Sequence, residues 1–168
     1  MATGVSSFNK NNGNSGEGKY WLQMKTPTAK LTQMAVTYGP GAQNSLDGYD
    51  SAFLSIGNDA LYSPLENKKL GIHGRAPFVN TDVVLLGNKH SVNGNYTISV
   101  VAKTGIFENG QAIYLRDKQN GTYTDLSVQE YNFTATAGEL TNRFEIVYLP
   151  QGALSTTEIS KEELVVYI

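Results

Sequence analysis

From Tyr20 onward, short stretches in which apolar and polar side chains alternate follow one another, and Gly, Asn, Asp or Pro separates them. Alternation of period two marks a strand with one buried and one wet face. Residues 95–103 give the clearest case: Tyr96, Ile98, Val100 and Ala102 face one way, Thr97, Ser99 and Lys103 the other. Residues 111–116 follow, after Glu108-Asn109-Gly110, an Asn-Gly pair of the kind that turns a hairpin. Tyr131, Phe133 and Ala135 then share a face, as do Phe144, Ile146 and Tyr148, opposite Arg143 and Glu145. The same reading predicts strands over 20–25, 31–38, 53–56, 69–73, 83–86 and 164–168, and a single helical turn over 158–164.

About ten short strands with frequent turn signals, and no long segment of 3.6-residue period, predict an all-β domain. One wet side per strand predicts antiparallel sheets, packed as a jelly-roll-like β-sandwich. No fixed-period repeat points to a propeller or solenoid. Residues 1–19, rich in Gly, Asn and Ser, read as a flexible leader or a long polar loop, and 20–168 as a single sandwich domain.

Composition sharpens this. The chain has 168 residues, of which 40% are apolar and only 17% charged, with a net charge of −2. Its polarity therefore rests on Asn, Gly, Ser and Thr, residues of turns and strand faces. No Lys/Arg cluster could neutralise a run of phosphates, so a nucleic-acid partner is not expected. With no cysteine, disulfides, thiolate nucleophiles and cysteine zinc sites are excluded. No stretch approaches the length of a membrane-crossing helix, and the N-terminus lacks the regions of a signal peptide. Met1 reads as a start placed ahead of an excised fragment. The run Leu164-Val165-Val166-Tyr167-Ile168, with no turn after it, reads as a cut made before a following domain.

Several motifs carry a resemblance. Residues 111–148 contain Leu115-Arg116-Asp117-Lys118, Asn120-Gly121-Thr122, Asp125-Leu126, Tyr131-Asn132-Phe133-Thr134 and Arg143-Phe144-Glu145-Ile146-Val147-Tyr148. Upstream stand Asp47-Gly48-Tyr49-Asp50, Leu61-Tyr62-Ser63, Leu70-Gly71-Ile72-His73-Gly74-Arg75 and Val84-Leu85-Leu86-Gly87. In order and spacing these resemble the module that precedes the C-terminal sorting domain of Bacteroidetes proteins exported by type IX secretion. The resemblance covers roughly residues 28–168. It implies a secreted or cell-surface location, the type IX machinery as a partner through a sorting domain missing after 168, and no reaction. Arg116-Asp117 before Asn120-Gly121 reads as a strand end and hairpin turn. Arg143 and Glu145 are placed for cross-strand pairing with opposite charges.

Candidate chemistry is sparse. The histidines, His73 and His90, neighbour no nucleophile elbow. Asp47, Asp50, Asp59, Glu66 and Asp82 are not paired at a separation that would suit sugar hydrolysis. The chain is therefore expected not to be an enzyme. Calcium is the only cofactor suggested: Asp47, Asp50 and Asp59, with Asn44 and Asn58, supply the hard oxygens it favours. The alternative is that these side chains cap their own turns. Trp21, Tyr49, Tyr62 and Phe78 are candidates to stack on a glycan, against the alternative that they sit in the core. The expected function is a non-catalytic extracellular or cell-surface module with a structural, adhesive or interaction role, meeting another surface protein or a surface glycan and not inserting into a membrane. The alternative is a carbohydrate-binding module stabilised by calcium.

Overall fold

A computed structural model describes residues 16–152. Eleven strands and no helix form among them: β1 (Gly18–Lys25), β2 (Leu31–Tyr38), β3 (Ser51–Ala52), β4 (Ala60–Leu65), β5 (Lys68–Arg75), β6 (Val84–His90), β7 (Gly94–Gly105), β8 (Tyr114–Asp117), β9 (Thr122–Asp125), β10 (Tyr131–Ala135) and β11 (Gly138–Val147). They follow one hydrogen-bonded path, β10-β7-β1-β2-β5-β4-β6-β11-β8-β9, with β3 added on β5. The sheet is mixed. Every pairing is antiparallel except β2 with β5, which departs from the all-antiparallel expectation.

β4 is where the path bends. Its residues Ala60, Leu61 and Tyr62 pair with β6, while Ser63, Pro64 and Leu65 pair with β5. One strand thus passes from the ladder β10-β7-β1-β2-β5 into the ladder β6-β11-β8-β9, and the whole curls into a nearly barrel-shaped form. The two inner faces meet in one core, to which Tyr20, Leu22, Tyr38 and Tyr96 come from the first ladder and Leu86, Leu115, Phe144 and Ile146 from the second. Phe133 of β10 meets Phe144 of β11 edge to face at 4.8 Å, a favoured aromatic geometry.

The pattern-based strands at 20–25, 31–38, 69–73, 83–86, 95–103 and 131–136 correspond to β1, β2, β5, β6, β7 and β10. β4 escaped the pattern because Ala60, Leu61, Tyr62 and Ser63 are all buried. A strand covered on both faces does not alternate. The segment 53–56 forms no strand beyond its start: Phe53 N–H still bonds Lys69 O at 2.9 Å, but Leu54 is wholly exposed. The Asn109-Gly110 turn joins no hairpin, since β7 pairs with β1 and β10 and β8 pairs with β11 and β9. Phe107 draws that connection into the core, buried against Tyr20, Tyr38, Phe78 and Tyr148. Gly18 and Lys19, assigned to the leader, already belong to β1. Residues 1–15, the strand predicted over 164–168 and the turn over 158–164 lie outside the described residues.

Gly74 lets the chain close in. A Cβ there would stand 2.6 Å from Tyr49 Cβ, so the segment carrying Asp47 and Asp50 could not lie across β5 if residue 74 had a side chain.

Candidate functional site

A line of polar side chains crosses the interior from the core to β4. Tyr20 and Tyr148 share a hydroxyl hydrogen bond of 2.6 Å, and Tyr148 and Tyr38 one of 2.8 Å. Tyr38 donates to Asp82 Oδ2 at 2.7 Å. Arg75 donates to both oxygens of Asp82 at 2.6 Å in a two-pronged pair, and its Nη1 reaches His73 Nε2 at 3.1 Å. His73 Nδ1 lies 2.9 Å from Ser63 Oγ, which donates to Leu85 O at 2.9 Å.

This line brings a serine, a histidine and a carboxylate together, and their wiring decides what they can do. The carbonyl of Leu85 only accepts, so it takes the single hydrogen of Ser63, and His73 Nδ1–H then donates to Ser63 Oγ. A guanidinium only donates, so Nε2 accepts from Arg75. These constraints assign His73 as a neutral imidazole with its proton on Nδ1. A serine nucleophile needs the reverse: an imidazole that accepts the hydroxyl proton, with a carboxylate behind it to stabilise the imidazolium. Behind His73 stands a cation. Burial and Arg75 push its pKa down to about 4. Ser63 is fully buried and His73 nearly so, so no substrate reaches them. Burial works to raise the carboxyl of Asp82, but the bonds from Arg75 and Tyr38 outweigh it and hold the group below the ordinary carboxylate range. Burial pushes the hydroxyls of Tyr20, Tyr38 and Tyr148 well up, so all three stay protonated.

A second buried cluster gathers the motif residues of 116–143. Arg143 donates to Asp117 Oδ1 and Oδ2 at 3.0 and 2.9 Å. Tyr131 donates to Asp117 Oδ2 at 2.6 Å, and the backbone N–H groups of Gln119 and Asn120 reach Oδ1. The guanidinium also lies 5.1 Å from the ring centre of Phe133 and 4.9 Å from that of Phe144. This clasp ties β10, at one end of the strand path, to β8 and β11 near the other. Arg116–Asp117 and Asn120-Gly121 form the β8–β9 hairpin as read from sequence, and Glu145 pairs with Arg116 at 3.0 Å and Lys118 at 3.5 Å.

The three aspartates proposed for calcium are separated in their partners. Asp47 accepts from Gln43 N–H and Tyr49 N–H, and Asp50 from Asp47 N–H and Gly74 N–H. Asp59 accepts from the backbone and hydroxyl of Ser91 and pairs with Lys30 at 3.4 Å. Each carboxylate oxygen is thereby engaged, chiefly in capping backbone. Among the described residues no three His, Asp or Glu side chains gather as metal ligands. His90 is buried beside Tyr96, with Nε2 2.7 Å from Asn88 Nδ2, and burial lowers its pKa.

The four candidate aromatics do not share a face. Tyr62 is fully buried and donates its hydroxyl to Glu139. Phe78 packs on Tyr38, Phe107 and Tyr148 at the end of the core. Tyr49 is 56% exposed on the segment above Gly74. Of the four, Trp21 alone stands on the outer face of the sheet, on β1. Its cross-strand neighbours are the small Ala102 on β7 and Ala35 on β2. Along β1 the same face carries Lys19, Trp21, Gln23 and Lys25. Side-chain bonds bridge its strands, Gln33 to Gln23 at 2.8 Å and Thr97 to Asn132 at 2.7 Å. Lys19 Nζ lies 5.1 Å from the ring centre of Trp21.

Fold and site together define an all-β domain in which the Ser63–His73–Arg75–Asp82 and Asp117–Arg143 groups are engaged with one another and the outer sheet face displays a tryptophan. Residues 4–148 match the family model described as a domain of unknown function, DUF8693, and the chain belongs to that family. No curated protein and no solved structure matches it.

Proposed function

We propose that this chain is a non-catalytic module of a bacterial protein exported by type IX secretion, displayed at the cell surface or released, with a structural, adhesive or interaction role. On this reading the two ladders are the sheets of a jelly-roll-like sandwich, and a sorting domain follows the chain in the whole protein. One observation supports a non-catalytic role above the rest. The Ser63–His73 pair at the inner end of the line is shut off from solvent, and its proton placement is opposite to that of a nucleophilic serine. Export rests on the motif resemblance between residues 28 and 168. Surface labelling in a Bacteroidetes host tests it. The protein is expected outside wild-type cells and trapped in the periplasm of cells lacking the type IX translocon. Cytoplasmic protein in both strains would overturn the reading.

A second reading, carbohydrate binding, is favoured by Trp21. A partly exposed indole between two alanines, with Gln23, Gln33 and Ser99 close by on the same face, offers a stacking platform with hydrogen-bond partners beside it. Among the described residues no cluster of three acidic or histidine side chains adds support for calcium to this second reading.

A further inference from the structure

We infer that the outer face of β1 binds an acidic polysaccharide, with Trp21 stacking on a pyranose ring and Lys19 and Lys25 pairing with uronate carboxylates on either side. This rests on the carbohydrate-binding reading and adds to it a site and a charge. The argument is one of charge complementarity. The whole chain carries 13 Lys and Arg against 15 Asp and Glu. Strands β1, β2, β7 and β10 nevertheless contain three lysines, Lys19, Lys25 and Lys103, and no Asp or Glu. The nearest carboxylates in sequence, Glu17 and Glu130, precede β1 and β10. None of the three lysines makes an ion pair among the described residues. Lys103 lies opposite the inward-facing Tyr20 and takes no part.

Geometry adds direction. Alternate residues of a strand repeat at about 6.6 Å on one face, so Lys19, Trp21, Gln23 and Lys25 present cation, ring, amide and cation in line. A linear sugar chain laid along β1 meets a ring platform between two positive charges, with Gln23, Gln33 and Ser99 beside it to bond hydroxyls. Lys19 now sits against the indole. In the complex it exchanges that contact for a carboxylate, which uncovers the ring for the sugar.

Trp21 is the only tryptophan, so its fluorescence reports this face alone. Titration of the full chain with polygalacturonate is expected to give a saturable emission change that added salt weakens. Dextran and duplex DNA are expected to give none. The double substitution Lys19→Gln, Lys25→Gln keeps the reporter and lies outside the core. It should weaken polygalacturonate binding about tenfold or more, through loss of two charge-assisted contacts. No emission change, or one that the double variant retains in full, overturns the inference. An equal response to dextran overturns the acidic preference and leaves the carbohydrate-binding reading standing. An equal response to DNA replaces the sugar by a polyanion of any kind. Silence with all three probes removes both carbohydrate statements and leaves surface display, which cell fractionation tests, untouched.

Discussion

The two buried arginine–aspartate pairs look alike and are held differently. Arg75–Asp82 and Arg143–Asp117 are both two-pronged, and all four side chains are at least nine-tenths covered. Asp117 also receives two backbone N–H groups and the Asn120 amide from its own turn, plus Tyr131. Asp82 receives, besides Arg75, the hydroxyl of Tyr38 and a backbone bond from Val83. Its arginine leads on to a histidine, which the clasp lacks. A buried charge is tolerated in proportion to the hydrogen bonds that replace water. The clasp meets that need largely from a local turn, and the relay from side chains gathered across the molecule.

Removing each aspartate should separate them most. Asp117→Ala strands Arg143 between Phe133 and Phe144 and uncaps the β8–β9 turn, so a loss of about 3–5 kcal/mol is expected. Asp82→Ala should cost less, about 3 kcal/mol, at the low end for a broken buried pair. Asp82 lines a cavity of about 180 Å³ with Asn80, Thr81 and Tyr148, so water can enter the space that its carboxylate vacates. Urea unfolding of both variants at neutral pH checks the order. An equal or larger loss at Asp82 would show that the turn bonds of Asp117 carry little weight.

Acid should separate the two regions next. His73 has its pKa lowered from 6.5 to about 4, so between those values the unfolded chain binds a proton that the folded chain refuses. Stability from this group is therefore full above about 6.5 and falls with pH until about 4, by at most about 3 kcal/mol. Asp82 and Asp117 also have lowered values, but from a carboxylate reference of 3.8, so their contributions persist down to that pH and fade below it. The relay is expected to weaken between pH 6.5 and 4 while the clasp does not. His73→Gln, which keeps a donor and an acceptor, should remove most of the slope of stability against pH in that window. The remainder belongs to His90, whose pKa is lowered in the same direction, and at the lower end of the window to Glu139, which Lys69 and Tyr62 hold below its ordinary value of 4.5. A slope unchanged in the variant would mean that His73 does not refuse the proton.

The same contrast explains what the sequence made legible. The clasp was half visible, because Asp117 and Asn120-Gly121 are a turn signal within five residues and Arg143 opens an alternating strand on the face opposite Phe144 and Ile146. The relay was not, because Tyr20, Tyr38, Ser63, His73, Asp82 and Tyr148 come from separate segments, and no local pattern joins them. Its one signal was Arg75, a charge at the end of a buried strand, where such residues need a partner. β4 was missed for a related reason, since being covered on both faces erases the alternation. Among the aromatics, Tyr62 and Trp21 both lie on strands, but only the neighbouring strands decide which is covered. The motifs between 116 and 148 prove to be largely the clasp and the strands it joins, so architecture accounts for them before any function does.

The finest distinction lies in single hydroxyls. Tyr131→Phe removes one donor from Asp117, which keeps Arg143, two backbone N–H groups and the Asn120 amide. A loss of about 0.5–1 kcal/mol is expected, small for a charge-assisted bond because the remaining donors go on satisfying the carboxylate. Tyr38→Phe removes the only side-chain hydroxyl among the described residues that reaches Asp82 and cuts the line to Tyr148 and Tyr20. It should cost more, about 1–2 kcal/mol, because fewer donors remain on Asp82 and the buried hydroxyl of Tyr148 is left with Tyr20 alone. The two substitutions delete the same atom from the same residue type, so the difference between them isolates the support around each aspartate. Paired chemical denaturation resolves it. Equal losses would mean that the Val83 backbone and Arg75 already satisfy Asp82, and that the tyrosine line shapes the core without holding the charge.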